Sequence, residues 1–356
     1  MATPILVSQS LIVKVNIMRR RTLIKSSALL GLGAVGTNLF SSCVPASTNS
    51  NPTTSKGLKP LRVGLLPWLG WEGIHIANLK QLYAVEGIEV EQTVFKSPTE
   101  VNDALLAGKL DLAAAVGADL FSLTAKVPNL KVIMVTDYSG ELDGILSNNK
   151  ILKPEDLKGK KIAREDVPFE VVFLGEFLKR GGLTEKDIQI VSLSGEEGAK
   201  AFMAGKVDAV ATYDPFITKV LKARKDAKQI FSPKGTSIIA NSVVAHAQVI
   251  EERRNDVLAY LRAIDKGSKW VKANQTEANN LTAKWLDLSV AEIVVQRPKI
   301  YSLDITENKI VAFNPSNSLN LESSLRSAAQ ILLDSGKIKA LGDAARLIDS
   351  SLIKSL

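Results

Sequence analysis

The strongest constraint on the fold is a repeat inside the chain. Residues 97–118 align without gaps to residues 194–215, at an offset of 97, and eight of the 22 positions are identical. The identities are Ser97/Ser194, Glu100/Glu197, Ala104/Ala201, Ala107/Ala204, Gly108/Gly205, Lys109/Lys206, Asp111/Asp208 and Ala114/Ala211. Each copy reads as a capped helix, an Ala-Gly-Lys turn, an aspartate and a strand, so one supersecondary unit is made twice. Ser97, Pro98 and Glu100 combine an N-cap, a first-turn proline and a capping box. Around the repeat, residues 61–66, 88–95, 111–116 and 132–136 read as strands, and Ile74, Ala77, Leu79 and Leu82 carry a helical pattern between the first two. Short connections between such elements predict an α/β chain of two lobes, each a mostly parallel sheet flanked by helices. Two such sheets turn the loops after their strands toward a common crevice, where ligands bind.

The formal charge of +8 suggests a polyanionic partner until its location is read. Residues 1–43 hold Lys14, Arg19, Arg20, Arg21 and Lys25 and no acid, followed by a short run rich in Leu, Ala and Gly at 28–40. That order is the order of a signal peptide, and the run is too short to span a bilayer. Residues 20–25, RRTLIK, resemble a twin-arginine export motif, with Met18 as a candidate start. Residues 39–43, LFSSC, resemble a lipobox, which predicts lipidation at Cys43. Residues 44–60, rich in Pro, Ser, Thr and Asn, cannot bury enough surface to offset their ordering entropy and read as a flexible tether. Beyond Cys43 the chain carries 40 basic residues (45 less five) against 37 acidic, so the basic excess is largely an export address and no nucleic-acid partner is expected. One cysteine and two histidines leave no basis for a disulfide framework or a Cys/His metal centre, and no metal or cofactor is expected.

Several segments, taken in order, resemble one family. Residues 153–163, KPEDLKGKKIA, are similar to the passage that carries periplasmic solute-binding proteins into their second lobe. Residues 204–209, AGKVDA, followed by Tyr213-Asp214-Pro215-Phe216, and Asp137-Tyr138-Ser139-Gly140 followed by Asp143-Gly144-Ile145, resemble the nitrate/sulfonate/taurine type of these proteins. Thiamine-precursor pyrimidine-binding proteins share that superfamily. The resemblance implies a type II periplasmic-binding-protein fold, with residues 61–146 and 245–356 in one lobe and 147–244 in the other. It implies an extracytoplasmic component of an ABC importer that hands a small solute to a permease. Combined with the leader, it predicts a periplasmic or surface-exposed monomer anchored to the cytoplasmic membrane through Cys43. The expected helices 250–274, 277–286 and 290–296, and those after Asn320, return to the first lobe.

The loops after the strands supply the candidate ligand-binding residues: Trp68, Gly70, Trp71, Glu72, Ser97, Gly117, Asp137, Tyr138, Ser139, Glu165, Phe169, Ser194, Tyr213 and Asp214. Trp68 and Trp71 bracket a glycine in a turn, a pattern that suits a stacking wall. Trp270 and Trp285 sit in amphipathic helices and read as packing, and His75 reads as a satisfied helix histidine. His246 is assigned no role. Oxyanion binders need Arg, Lys, hydroxyls or free helix N–H groups. The helix after residue 164 begins REDVPF, with a proline that has no N–H and with Asp166 placed to cap it. That departure disfavours an oxyanion, whereas aromatic faces with Glu72, Asp137 and Asp214 suit an amine, amidine or aminopyrimidine. Two ligand classes stay open: a nitrogenous or pyrimidine-like solute, and a sulfonate- or nitrate-type anion. The rival class is an enzyme of thiamine-precursor pyrimidine synthesis on the same fold. It is disfavoured because the sole cysteine lies in the leader and no catalytic spacing or phosphate loop appears. An effector-sensing regulator would need a helix-turn-helix where the tether stands.

Overall fold

The computed structural model describes residues 59–356. The expected leader, Cys43 and most of the tether lie outside the described residues. The strands are β1 (Leu61–Leu65), β2 (Val90–Val94), β3 (Leu112–Val116), β4 (Leu130–Tyr138), β5 (Asp143–Ser147), β6 (Lys161–Arg164), β7 (Gln189–Ser192), β8 (Ala209–Tyr213), β9 (Lys228–Phe231), β10 (Ala240–His246) and β11 (Tyr301–Ser302). They form two sheets, ordered β11-β4-β10-β3-β1-β2 and β7-β6-β8-β5-β9. In the first, β1 pairs parallel with β2 and β3, while β10 lies antiparallel between β3 and β4. In the second, β6 pairs parallel with β7 and β8, while β5 lies antiparallel between β8 and β9. By direction, therefore, β1 to β4 run one way and only β10 and β11 oppose them, and β6 to β9 run one way and only β5 opposes them. The sheets are mostly parallel, as the sequence predicts, and each carries one reversed central strand.

The reversed strands are where the chain changes sheets. Expected boundaries after residues 146 and 244 cut through β5 and β10, whereas the pairing places β5 whole in the second sheet and β10 whole in the first. The sequence cannot show this, because a strand that crosses lobes is as apolar as its neighbours: β5 and β10 are buried almost throughout.

The repeat is explained by backbone chemistry at both of its copies. Ser97 Oγ accepts from Glu100 N, and Ser194 Oγ accepts from Glu197 N, which satisfies a free donor at the start of helices Pro98–Leu106 and Gly195–Met203. Each helix ends at a glycine in the left-handed region, Gly108 at φ 66° and Gly205 at φ 69°, a conformation that costs side-chain-bearing residues energy. Asp111 then accepts from Arg62 N at 2.9 Å, and Asp208 accepts from Lys161 N at 2.9 Å, which ties the incoming strand to the neighbouring one.

The main core runs through both sheets, and a smaller one lies under the second, built on Leu146, Ala163, Phe202, Val210, Ile217 and Val220. Helix Pro168–Arg180 of the second half packs on helix Leu321–Asp334 from the C-terminal third, closely enough that a Cβ on Gly175 would meet Ile331 at 2.6 Å. The expected helix 250–274 is two, Ala247–Glu252 and Arg254–Ala273, because Arg253 adopts φ −131°. Its guanidinium there donates to Lys59 O at 2.6 Å and to Asp256 at 2.9 Å. Among the described residues, no helix is long and apolar enough to cross a membrane.

Candidate functional site

The loops after β1, β3, β6 and β8 meet between the two sheets, as expected for open α/β sheets. They enclose a narrow inner cleft whose lining includes Trp68, Trp71, Asn102, Asp119, Asp143, Phe169, Tyr213 and Asn241. Its cavity of about 30 Å³ is roughly the space of one water. Leu66, Trp68 and Tyr213 also line an outer vestibule of about 400 Å³, together with Phe95, Lys96, Asp214, Phe216 and Lys219. The inner cleft is therefore nearly shut, and the roomier space is at its mouth.

The first wall is built on a buried carboxylate. Asp137, at the end of β4, accepts from Trp68 Nε1 at 3.2 Å, Asn241 Nδ2 at 2.7 Å and Thr136 Oγ1 at 3.0 Å. Burial pushes its pKa up to about 6 despite those donors. Gly70 is required beside it, since a Cβ there would stand 1.9 Å from Asp137 Oδ2. Trp68 is thus fixed by its ring nitrogen, whereas Trp71, 3% exposed, leaves Nε1 without a partner. Gly70 and Asp137 support the wall and do not line the cleft.

Two acids, Asp119 and Asp143, stand in a lining that is otherwise aromatic, aliphatic or amide. Asp119, 1% exposed, accepts from Asn102 Nδ2 at 2.9 Å and from Phe169 N at 3.0 Å, and burial pushes it up to about 7. Burial also pushes Asp143 up to about 7, with Asp137 and Asp214 adding repulsion. Glu170, 1% exposed, is raised well above the usual carboxylate range by burial and by Asp143 and Glu165, and its Oε2 has no partner. Glu165 accepts from Thr99 Oγ1 at 2.5 Å through one oxygen, while its Oε2 has no partner. The nearby cation is already committed: Arg164 donates to Glu185 at 3.0 and 3.2 Å, to Asp166 at 3.1 Å and to Glu165 O at 3.0 Å. Among the described residues, no lysine, arginine or histidine lines the inner cleft.

The helix Pro168–Arg180 is not capped by Asp166. Its N-cap is Val167, which has no side-chain cap, and Asp166 instead accepts from Arg164 and from Lys337 Nζ at 2.6 Å. Two basic side chains outcompete a single backbone donor, and Asp119 of the facing sheet takes that donor.

Of the other sequence-predicted residues, Trp68, Trp71, Phe169 and Tyr213 are brought together on the cleft, and Asp214 lines the vestibule while accepting from Thr218 N at 3.0 Å. Glu165 sits beneath the cleft. Glu72 faces away, paired with Arg297 through both oxygens and accepting from Thr282 Oγ1 at 3.0 Å. Ser97 and Ser194 serve as helix caps and line neither cavity. Gly117 packs near Leu325 and Leu321. The Tyr138 hydroxyl donates to Leu319 O at 2.5 Å, and Ser139 is buried on the crossing before β5. His75 stacks on Trp285 at 4.3 Å, and burial holds its pKa down at about 4. Asn102, Asp119, Glu170 and Asn241 escape the sequence reading, and Asp143 is read there only as a loop acid of the crossing segment. Asp119 and Asp143 do stand in segments that the topology aims at the crevice, but Asn241 lies within a strand and Glu170 within a helix, where nothing local sets them apart.

The inner cleft and the vestibule lie between the two sheets, where open α/β sheets place their ligand sites. Residues 70–278 match the family described as NMT1/THI5 like, and the chain belongs to that family. It is 27% identical over 266 residues to a putative aliphatic sulfonates-binding protein of Bacillus subtilis, covering 72% of this chain and 79% of that one. It is 23% identical over 213 residues to the formylaminopyrimidine-binding protein of Halalkalibacterium halodurans, covering 58% of this chain and 64% of that one. Its fold matches the periplasmic aliphatic sulphonate binding protein SsuA of Escherichia coli with a TM-score of 0.68 at 19% identity, over 83% of this chain and 93% of that one.

Proposed function

We propose that this protein captures a small nitrogenous solute, a cation or an N–H-rich ring such as an amidine or aminopyrimidine, between its two lobes and delivers it to an ABC permease. One observation carries the choice of solute: a cleft walled by Trp68, Trp71, Phe169 and Tyr213 has Asp119 and Asp143 in its lining, Glu165 and Glu170 behind them and, among the described residues, no basic side chain. Buried carboxylates without counter-charges are costly, and a bound cation offsets that cost. Flat aromatic faces add cation–π or stacking contact. A formylaminopyrimidine-binding relative fits this chemistry, whereas the sulfonate-binding names of other relatives do not.

The lobes are residues 61–139 with 240–356, and 143–231, hinged at the two crossings between them. The nearly shut inner cleft opens to admit the solute, and the vestibule is its entrance. The protein works as a monomer, held to the membrane by a lipid on Cys43 and spaced from it by the tether, and it catalyses no reaction. The supporting sequence fact for the last point is the absence of any thiol after Cys43.

The test is a thermal-shift and calorimetry panel on the chain from residue 44, with benzamidine, agmatine, aminopyrimidines, ethanesulfonate, taurine and nitrate. The expected result is a raised midpoint with at least one of the first three and none with the simple oxyanions. A midpoint raised by ethanesulfonate or nitrate alone would refute the assignment. Mass spectrometry of the membrane fraction checks the acyl group on Cys43.

A further inference from the structure

The helix Pro168–Arg180 points its N-terminus into the cleft between the sheets, and its first available donor is already used. Pro168 has no N–H, and the next residue, Phe169, donates its backbone N–H to Asp119 Oδ1 at 3.0 Å. Asp119 comes from the segment after β3, in the opposite sheet, and Asn102 Nδ2 holds its other oxygen at 2.9 Å. The contact therefore joins the two lobes through an anion that belongs to the protein. Helix N-termini are favourable places for anions, because unpaired N–H groups and the helix dipole converge there. Here the place is filled by a side chain that is 1% exposed and held on both oxygens.

We propose that Asp119 is a specificity-determining residue: its carboxylate stands where an oxyanionic solute would meet the helix N-terminus, and it thereby excludes such solutes and reserves the cleft for donor-bearing ones. The inference rests on the reading of the cleft as the solute site. A second observation at the same site supports it. Trp71 lines the cleft, is 3% exposed and has an unpartnered Nε1–H, so the cleft keeps a donor for an acceptor atom on the solute while the helix donor is withheld. Asp143 also lines the cleft, with Glu165 and Glu170 close by, so the lining offers a sulfonate carboxyl oxygens and no counter-charge.

The experiment compares the wild-type chain with Asp119→Ser, which uncovers the Phe169 N–H, and with Asp119→Asn, which keeps the shape and removes the charge. Calorimetry with ethanesulfonate, nitrate and benzamidine reads affinity, and a melting curve shows that each variant is folded. Ethanesulfonate is expected to bind Asp119→Ser on the order of a hundredfold more tightly than wild type, and Asp119→Asn about tenfold more tightly. Equal ethanesulfonate affinity in wild type and variants overturns the proposal. If Asp119→Ser does not fold, the Asp119→Asn comparison decides alone, because an unchanged affinity there is equally fatal. The two readings fail separately. Benzamidine binding by wild type with no oxyanion gain in the variants removes the role of Asp119 and leaves the nitrogenous-solute reading. An oxyanion gain in a protein that binds no amine, amidine or aminopyrimidine keeps the role of Asp119 and removes that reading.

Discussion

The two copies of the internal repeat agree where they build and differ where they face the cleft. Ser97 and Ser194 cap, Gly108 and Gly205 turn, and Asp111 and Asp208 hold the neighbouring strand by the same backbone bond. At the same offset, Asn102 stands opposite Ala199, and Thr99 opposite Glu196. One step past the aligned window Asp119 stands opposite Phe216. The first copy spends these positions on polar side chains that reach across the cleft: Asn102 holds Asp119, Asp119 takes Phe169 N, and Thr99 donates to Glu165. The second copy spends them on packing and on the vestibule, where Glu196 and Phe216 lie. Residues shared between lobes thus report the scaffold, and residues that differ report the site.

That division breaks first, and hardest, at the wall that only one lobe possesses. Gly70→Ala places a methyl group 1.9 Å from Asp137 Oδ2, in a network that holds Trp68 and Asn241. A loss of about 3 kcal/mol is expected from the overpacking and the displaced carboxylate, read by denaturant unfolding. A variant as stable as wild type would mean that Asp137 does not hold the wall.

A smaller effect separates the acid-lined cleft from the rest of the molecule by pH. Asp119 and Asp143 are pushed to about 7 and Asp137 to about 6, above the ordinary aspartate value of 3.8. Between those limits the folded chain holds more protons than the unfolded one, so the ligand-free protein loses stability as pH rises between about pH 5 and about pH 7. A cationic solute needs the ionised acids and should raise the melting midpoint more at the upper pH than at the lower. The groups that set this balance are Asp119, Asp137, Asp143 and Glu170. A solute-induced shift that is equal at both pH values would argue that these acids do not contact it.

Much of the architecture was legible because backbone needs have local signatures. A serine three residues before a glutamate, a glycine after a helix and an aspartate before a strand announced both copies of the unit, and the order of segments announced the family. The mostly parallel sheets followed from the alternation of strands and helices, whereas helix Leu321–Asp334, expected on the first lobe, packs on helix Pro168–Arg180 of the second. The aromatic wall was legible as well: Trp68 and Trp71 in a glycine turn, Phe169 in the segment after β6 and Tyr213 at the end of β8. The acids were misassigned for a physical reason. A carboxylate's role depends on which cation or donor arrives from elsewhere in the fold, and those partners are remote: Arg297 is 225 residues from Glu72, and Lys337 is 171 from Asp166. Glu72 therefore reads as a ligand contact in the sequence and is an ion pair in the structure. Asp119, with an unremarkable Val-Gly-Ala-Asp context, holds the position that Asp166 was expected to fill.

The shared aspartates test the scaffold side of the comparison at lower energy. Asp111→Ala and Asp208→Ala each remove a backbone acceptor, at about 1 kcal/mol by urea unfolding. The first should cost a few tenths more, because Asp111 also pairs with the half-exposed Arg62 guanidinium at 2.6 Å. Solute affinity should be unchanged in both, and a folded Asp208→Ala that no longer binds would place function inside the shared set.

The smallest and cleanest comparison is between the two turn glycines. A Cβ at Gly108 or at Gly205 meets nothing within 4 Å, so neither position is glycine for lack of room. What remains is the left-handed backbone, at φ 66° in one and 69° in the other, which disfavours alanine by about 1 kcal/mol. Since the geometry is the same and the space is open in both, Gly108→Ala and Gly205→Ala should lower stability by equal amounts and leave solute affinity alone. The double variant should show the sum, because the two turns lie in different sheets and share no partner. A marked inequality between the single variants would reveal that one of the turns does more than reverse the chain, and would break the equivalence of the two copies at its simplest point.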